Sequence, residues 1–317
     1  MGITLGPGLT IIGGVTFEAG PPPDLTRGLF GGGYIGYASQ YVDYVEIATT
    51  GNSLDFGTLT SAYSSLAACA SSTRGLFGGG TNFSSSLVNV IEYVTIATTG
   101  NATDFGDLTQ TRNSLAACSS ATRGIFAGGF AAAGRSNVMD YVTIATVGNA
   151  TDFGDLTNVR FALAGCSSAT RGLFGGGNEP GDVNTIEYVT IATTGNATDF
   201  GDLTLSVQYP AACSSATRGI FAGGVDAGNA TNVIAFVTIA STGNATDFGD
   251  LTVGRYTAAG CSSPTRGVIG GGNQAGVRQN VIDYITIASA GNATDFGDLG
   301  DATADLAACS NGHGGLQ

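Results

Sequence analysis

Few residues in this chain of 317 are equipped for chemistry, and most of those that are recur with a period. The single histidine, His313, stands in a Gly-rich tail that reads as disordered, and no Ser–His–Asp or Cys–His set assembles around it, so nucleophilic catalysis lacks its base. Six cysteines, Cys69, Cys118, Cys166, Cys213, Cys261 and Cys309, occupy one equivalent position each. A disulfide needs Cα atoms within about 7 Å, and positions related by repetition lie farther apart. The expectation is six buried thiols acting as small hydrophobes, with a six-thiol metal ring as the sharper alternative. The phrase Asn-Ala-Thr-Asp-Phe-Gly-Asp-Leu begins at Asn101, Asn149, Asn196, Asn244 and Asn292, with a degenerate copy from Asn52. Its two carboxylates lack EF-hand spacing and a bidentate Glu, so Asx turns are the better account. No cofactor and no metal are expected, and the chain reads as a non-enzyme.

These residues sit on a repeat. Thr-Arg-Gly places arginine at 27, 74, 123, 171, 218 and 266, at intervals of 47, 49, 48, 47 and 48 residues. Each unit carries four short segments rich in Ile, Val, Tyr, Phe and Thr, broken by Gly, Ser, Asn and Asp, with no helical periodicity. Four strands in a unit of this length suit a propeller blade. In the third unit the expected strands, innermost first, are 115–118, 123–129, 138–145 and one containing Phe153. The repeated arginine has a suitable partner on the third strand of its own unit: Asp43, Glu92, Asp140, Glu187 or Asp283, with Ala235 breaking the set. An ion pair between neighbouring strands is expected there.

The apolar strand that ends in Gly-Gly (Gly32-Gly33, Gly79-Gly80, Gly128-Gly129), followed by Tyr and a later bulky aromatic, resembles kelch and galactose-oxidase-type propellers. The departure is Phe at 56, 105, 153, 200, 248 and 296, where kelch repeats carry Trp. The resemblance implies an all-β, six-bladed kelch-like β-propeller of four-stranded blades over residues 25–317. The first unit begins at a second strand and the chain finishes on an orphan first strand, Leu306 to Cys309, so closure by the C-terminal strand is expected.

Residues 1–24 are different material. Ile3, Leu5, Leu9, Ile11, Val15 and Phe17 fall in Gly-punctuated hexads, and Pro21 to Pro23 form a stiff spacer. Three hexads bury too little to stand alone, so this segment is expected to attach or oligomerise, giving a homo-oligomer with a trimer favoured.

Charge is sparse and one-sided. Eleven arginines and no lysine face 24 acidic residues, a net charge of −13. Such a body repels nucleic acid and anionic bilayers, and no apolar run reaches the length of a membrane span, so neither partner is expected. The five arginines outside Thr-Arg-Gly all fall in the two sets of loops that a blade sends to one end, and those loops differ almost completely between units. Tyr37, Tyr63, Arg112, Arg135, Arg160, Phe161, Tyr209, Arg255, Tyr256 and Arg278 are therefore the expected ligand- or receptor-binding residues, Tyr and Arg being hot-spot types.

The repeated phrases also resemble virion proteins of marine tailed bacteriophages, including tail-fibre-like proteins. That resemblance implies a virion appendage protein, attached to other virion proteins through residues 1–24, that binds a host surface glycan or protein. A propeller enzyme acting on glycan, a hydrolase or lyase, is the alternative.

Overall fold

A computed structural model of the protein describes residues 26–316. The N-terminal segment, with Ile3, Leu5, Leu9, Ile11, Val15 and Phe17, lies outside the described residues. The fold is all-β: five four-stranded and one five-stranded antiparallel sheets, with three small ribbons in the loops, an arrangement compatible with a β-propeller. In the third unit the order from the inside is Ala116–Ser119, Arg123–Ala127, Val138–Thr143 and Thr151–Asp155. Small residues fill the innermost strand because the corresponding strands of all six sheets converge on one cavity. The C-terminal strand Ala307–Ser310 pairs with Arg27–Gly31 in the register Gly28↔Ser310 and Gly31↔Ala307, and so supplies the inner strand of the first sheet.

The joints between sheets explain the repeated phrases. A Cβ on Gly124 would come 2.6 Å from Cys69 Sγ, and one on Gly172 2.5 Å from Cys118 Sγ; Gly28, Gly75, Gly219 and Gly267 face Cys261, Cys309, Cys166 and Cys213 alike. The glycine of Thr-Arg-Gly and the repeated cysteine are thus two halves of one contact, a thiol set into the neighbouring sheet. All six thiols are free and buried. Burial pushes Cys69 and Cys213 up to about 12, which makes them poor nucleophiles.

The repeated arginines do not make the expected ion pair. Each guanidinium instead lies over the aromatic ring of the third strand, from 4.4 Å for Arg123 on Tyr141 to 4.7 Å for Arg27 on Tyr44, and that ring meets the Phe of the fourth strand edge-on at about 6 Å. Five of the rings are Tyr, and the sixth is Phe236 under Arg218. Among the described residues only Arg27 of this set pairs with an acid, Glu46 at 2.8 Å. The reason is register. Arg123 is paired with Thr143 and Phe126 with Asp140, and strand residues three apart point to opposite faces.

The Asn of each Asn-Ala-Thr phrase also works between sheets rather than within its own turn. Asn149 Oδ1 accepts from Asp107 N at 3.1 Å, and Asn101, Asn196, Asn244, Asn292 and Asn52 repeat the bond to the preceding unit. Each turn thereby covers the outer edge of the preceding sheet, an edge otherwise open to pairing with another chain. The glycine of Asp-Phe-Gly-Asp is required by this approach: Gly106 has φ +144°, and a Cβ there would meet the Gly148 carbonyl at 2.5 Å.

His313 is not in a loose tail. It sits at one end of the convergent inner strands, with Nε2 3.0 Å from the Ala70 carbonyl and Nδ1 accepting from Gly315 N at 3.1 Å. Both contacts fit a neutral ring with the proton on Nε2. Burial holds its pKa down at about 4. The short 3₁₀ turn Gly314–Leu316 closes over the same end, against the serines that finish the inner strands. Those serines are chained: Ser310, Ser262, Ser214, Ser167 and Ser119 each donate Oγ–H to the inner-strand carbonyl of the next sheet round, ending on Ala70.

Candidate binding face

At the opposite end, the loop after each fourth strand pairs with the loop of the following sheet. The bridges are Tyr63↔Asn82, Asn113↔Phe130, Phe161↔Asn178, Gln208↔Val225, Tyr256↔Asn273 and Ala304↔Tyr34. The variable loops of all six units are therefore one connected surface. At its centre, Ser65, Ser114, Ala162, Tyr209, Thr257 and Asp305 adopt left-handed backbone with φ from 50° to 59°. For residues with a Cβ this conformation is costly, and here a circuit of hydrogen bonds holds it. Ser114 N donates to Ser65 O at 2.8 Å, and the same bond passes through Ala162, Tyr209, Thr257 and Asp305 back to Ser65.

Inside this circuit opens a cavity of about 120 Å³ with an apolar wall of Leu and Ala from the inner strands. Its polar groups are the Tyr209, Thr257, Ser65 and Ser114 hydroxyls and one carboxylate, Asp305. Burial raises Asp305 to about 6 and lifts the Tyr209 hydroxyl too, the latter in a hydrogen bond with Ser114. From Tyr209 an aromatic path runs outward: Tyr209 to Phe161 at 6.1 Å, Phe161 to Phe130 at 5.6 Å, and Arg135 over Phe161 at 5.5 Å.

The structure divides the sequence-predicted residues into two groups. Tyr37, 54% exposed, and Arg135, Phe161, Tyr209, Tyr256 and Arg278 reach this surface wholly or in part. Tyr63, Arg112, Arg160 and Arg255 do not. The three arginines have no exposed surface, and Tyr63 is buried beside Glu92. Each arginine turns inward to the third-strand acid of the next sheet: Arg112 to Asp140 at 2.8 Å, Arg160 to Glu187 at 2.7 Å and Arg255 to Asp283 at 3.1 Å. These are the partners that the sequence assigned to the Thr-Arg-Gly set. A threonine from the same loop, Thr109, donates both its N–H and its hydroxyl to Asp140. Where the acid is Ala235, the corresponding loop residue is Val207, and both line one small apolar gap.

Residue types alone missed the exposed apolar side chains. Tyr34, Tyr41, Phe83, Phe130, Val159 and Val277 stand out at this end beside Tyr37, Phe83 at 72% exposure, against only Leu54 and Val147 elsewhere among the described residues. A tyrosine or arginine search passes over Phe83 and Phe130, although each is a lone aromatic in an otherwise small and polar loop. No helix among the described residues is long and apolar enough to cross a membrane. No protein-family model and no curated protein matches the chain.

Asp305 and His313 bias the pH dependence of stability in opposite directions. The unfolded His313 takes a proton near its ordinary 6.5 while the folded one resists to about 4, so stability falls as pH drops through that window. Folded Asp305 takes its proton near 6 and the unfolded one near 3.8, so its share rises as pH drops. His313→Gln should flatten the acid-side loss of melting temperature. Asp305→Asn should raise the melting temperature at neutral pH and steepen that loss. Melting curves for both variants that run parallel to the wild type between pH 6.5 and 4 would exclude this assignment.

Proposed function

We propose that the protein is a non-enzymatic binding module of a phage virion, a six-bladed kelch-like propeller closed by its C-terminal strand. Its loop face takes a host surface glycan or protein, and residues 1–24 join it to other virion proteins as a homo-oligomer, a trimer first. What supports this reading is the asymmetry between the two ends. One end is nearly identical from unit to unit. The other gathers the variable loops, the exposed aromatics and the aromatic path to the central cavity. Flat aromatic faces beside a few hydroxyls and a guanidinium suit sugar rings or a protein hot spot alike. Of the enzyme alternative, a glycan hydrolase or lyase, the hydrolase draws less support, because glycoside hydrolysis takes two carboxyl groups in most families and the cavity wall carries one, Asp305.

The test is an array of bacterial surface polysaccharides and surface proteins probed with the full chain. Tyr37→Ala with Arg135→Ala should weaken capture by about 2 kcal/mol or more, the scale of a hot spot, and leave melting unchanged. Val147→Lys at the opposite end should bind like the wild type. The reverse pattern would move the site to the other face.

A further inference from the structure

The joint between the last sheet and the first differs from the joints that hold an arginine. In the joint of Arg112, Nη1 donates to the Gly128 and Val138 carbonyls, and Nη2 donates to the Phe126 carbonyl and Asp140. Arg160 repeats this on Gly176, Thr185, Phe174 and Glu187. By strand register the corresponding residues of the first sheet are Gly32, Tyr41, Phe30 and Asp43. The residue that should bring the guanidinium is Thr303, too short to reach them, and Gly300 stands where Thr109 stands in the arginine joint. A cavity of about 170 Å³ lies between, lined by Phe30, Gly32, Tyr41, Asp43, Gly300 and Thr303 among others. One water needs about 10–15 Å³ of such space, so the cavity admits a polyatomic guest.

We propose that this joint is a guanidinium-binding site, in which Asp43 and the carbonyls of Phe30, Gly32 and Tyr41 take the group that Arg112 and Arg160 supply in their own joints. Three observations carry it. The chain binds a guanidinium with the same set of groups at two other joints, so the geometry is demonstrated within the molecule. Asp43 has Ser53 Oγ at 2.8 Å and Gly300 N at 3.2 Å as donors, both on Oδ2, and no cation among the described residues. Asp55 and Asp301 add negative charge nearby, and burial raises the Asp43 pKa, so a cation there relieves a real cost. Tyr41 and Asp301 at the rim are exposed, which opens the site toward the loop face. A planar fork of donors fits separated carbonyls and a carboxylate, whereas an ammonium is a point charge, so guanidinium is preferred over amine.

The experiment titrates the full chain with methylguanidinium, with methylammonium, and with a blocked Gly-Arg-Gly peptide, followed by NMR shifts and calorimetry. Saturable binding of methylguanidinium is expected, weakened at least about tenfold by Asp43→Asn through loss of a charge-assisted hydrogen bond. Thr303→Arg should abolish it and raise the melting temperature. Peptide binding at equal or greater strength assigns the site to an arginine side chain of a partner; binding of methylguanidinium alone assigns it to a small molecule. Absence of saturable binding, equal binding of methylammonium, or undiminished binding to Asp43→Asn overturns the proposal, and the last needs no folded Thr303→Arg.

Discussion

Replacing Arg112 with alanine should cost the fold about 3–5 kcal/mol, because it leaves the Asp140 carboxylate buried without its cation. Both side chains have no exposed surface, and the guanidinium also ties together three carbonyls of the next sheet. The informative comparison is the double variant Arg112→Val with Asp140→Ala. It copies the pair Val207 and Ala235 that the chain itself uses at the corresponding joint, where the remaining gap is about 20 Å³. The ionic joint carries its own cost, since Arg112 Nε is buried with no acceptor. Removing both partners should therefore return stability to within about 1–2 kcal/mol of the wild type, as apolar replacement of buried ion pairs often does. Urea midpoints at constant slope are the measurement. A single variant with unchanged midpoint would show that the pair is not holding the joint, and a double variant as poor as the single would show that the carbonyl contacts, not the charge, matter.

The same pair marks where sequence reasoning reached its limit. The period, the four-strand unit, the small inner strand and the orphan last strand were all legible, because each follows from composition and spacing within a unit. The arginine partners are not legible within one unit, because the ion pair forms between two units. Arg123 and Asp140 lie in one unit on adjacent strands, yet point to opposite faces, while Arg112 reaches Asp140 from the preceding loop, 28 residues away. A signal for this was present. Each loop with an arginine precedes a strand with an acid by 27 or 28 residues, and the one strand without an acid, that of Ala235, follows a loop that carries Val207. The surface residues were half legible for a related reason. Loop position gives the end of the molecule, but Arg112, Arg160 and Arg255 sit two residues before the left-handed corner and turn inward, while Phe130 and Arg135 lie beyond the next two strands and stay outside. The repeated Asn, expected in an Asx turn of its own unit, accepts instead from the preceding unit, a contact between two sheets that no spacing within one unit shows.

Deleting residues 304–317 should abolish cooperative melting, if the C-terminal strand closes the ring as proposed. The deletion removes the inner strand of the first sheet and with it Leu306, Ala307 and Cys309, all buried. It breaks the hydrogen-bond circuit at both bonds made by Asp305, and it removes the Ser310 Oγ–H donated to Ser262 O. The Cys309 thiol that Gly75 accommodates is lost, so a second joint opens. The strand Arg27–Gly31 then presents a bare edge, and edge-to-edge aggregation follows. Deleting only 311–317 keeps the strand and removes His313, which separates loss of the strand from loss of the turn over the cavity end. A circular permutant supplies the positive arm. It joins Ser310 to Arg27 through Ser-Ala-Thr, the turn that links Ser119 to Arg123, and opens the chain in the exposed loop at Ser84 to Ser86. Its strand pairing is the same but now covalent within one hairpin, so it should melt at or above the temperature of the 26–310 chain. Unchanged melting of the 304–317 deletion would mean that the last strand is an appendage and that the ring holds without it.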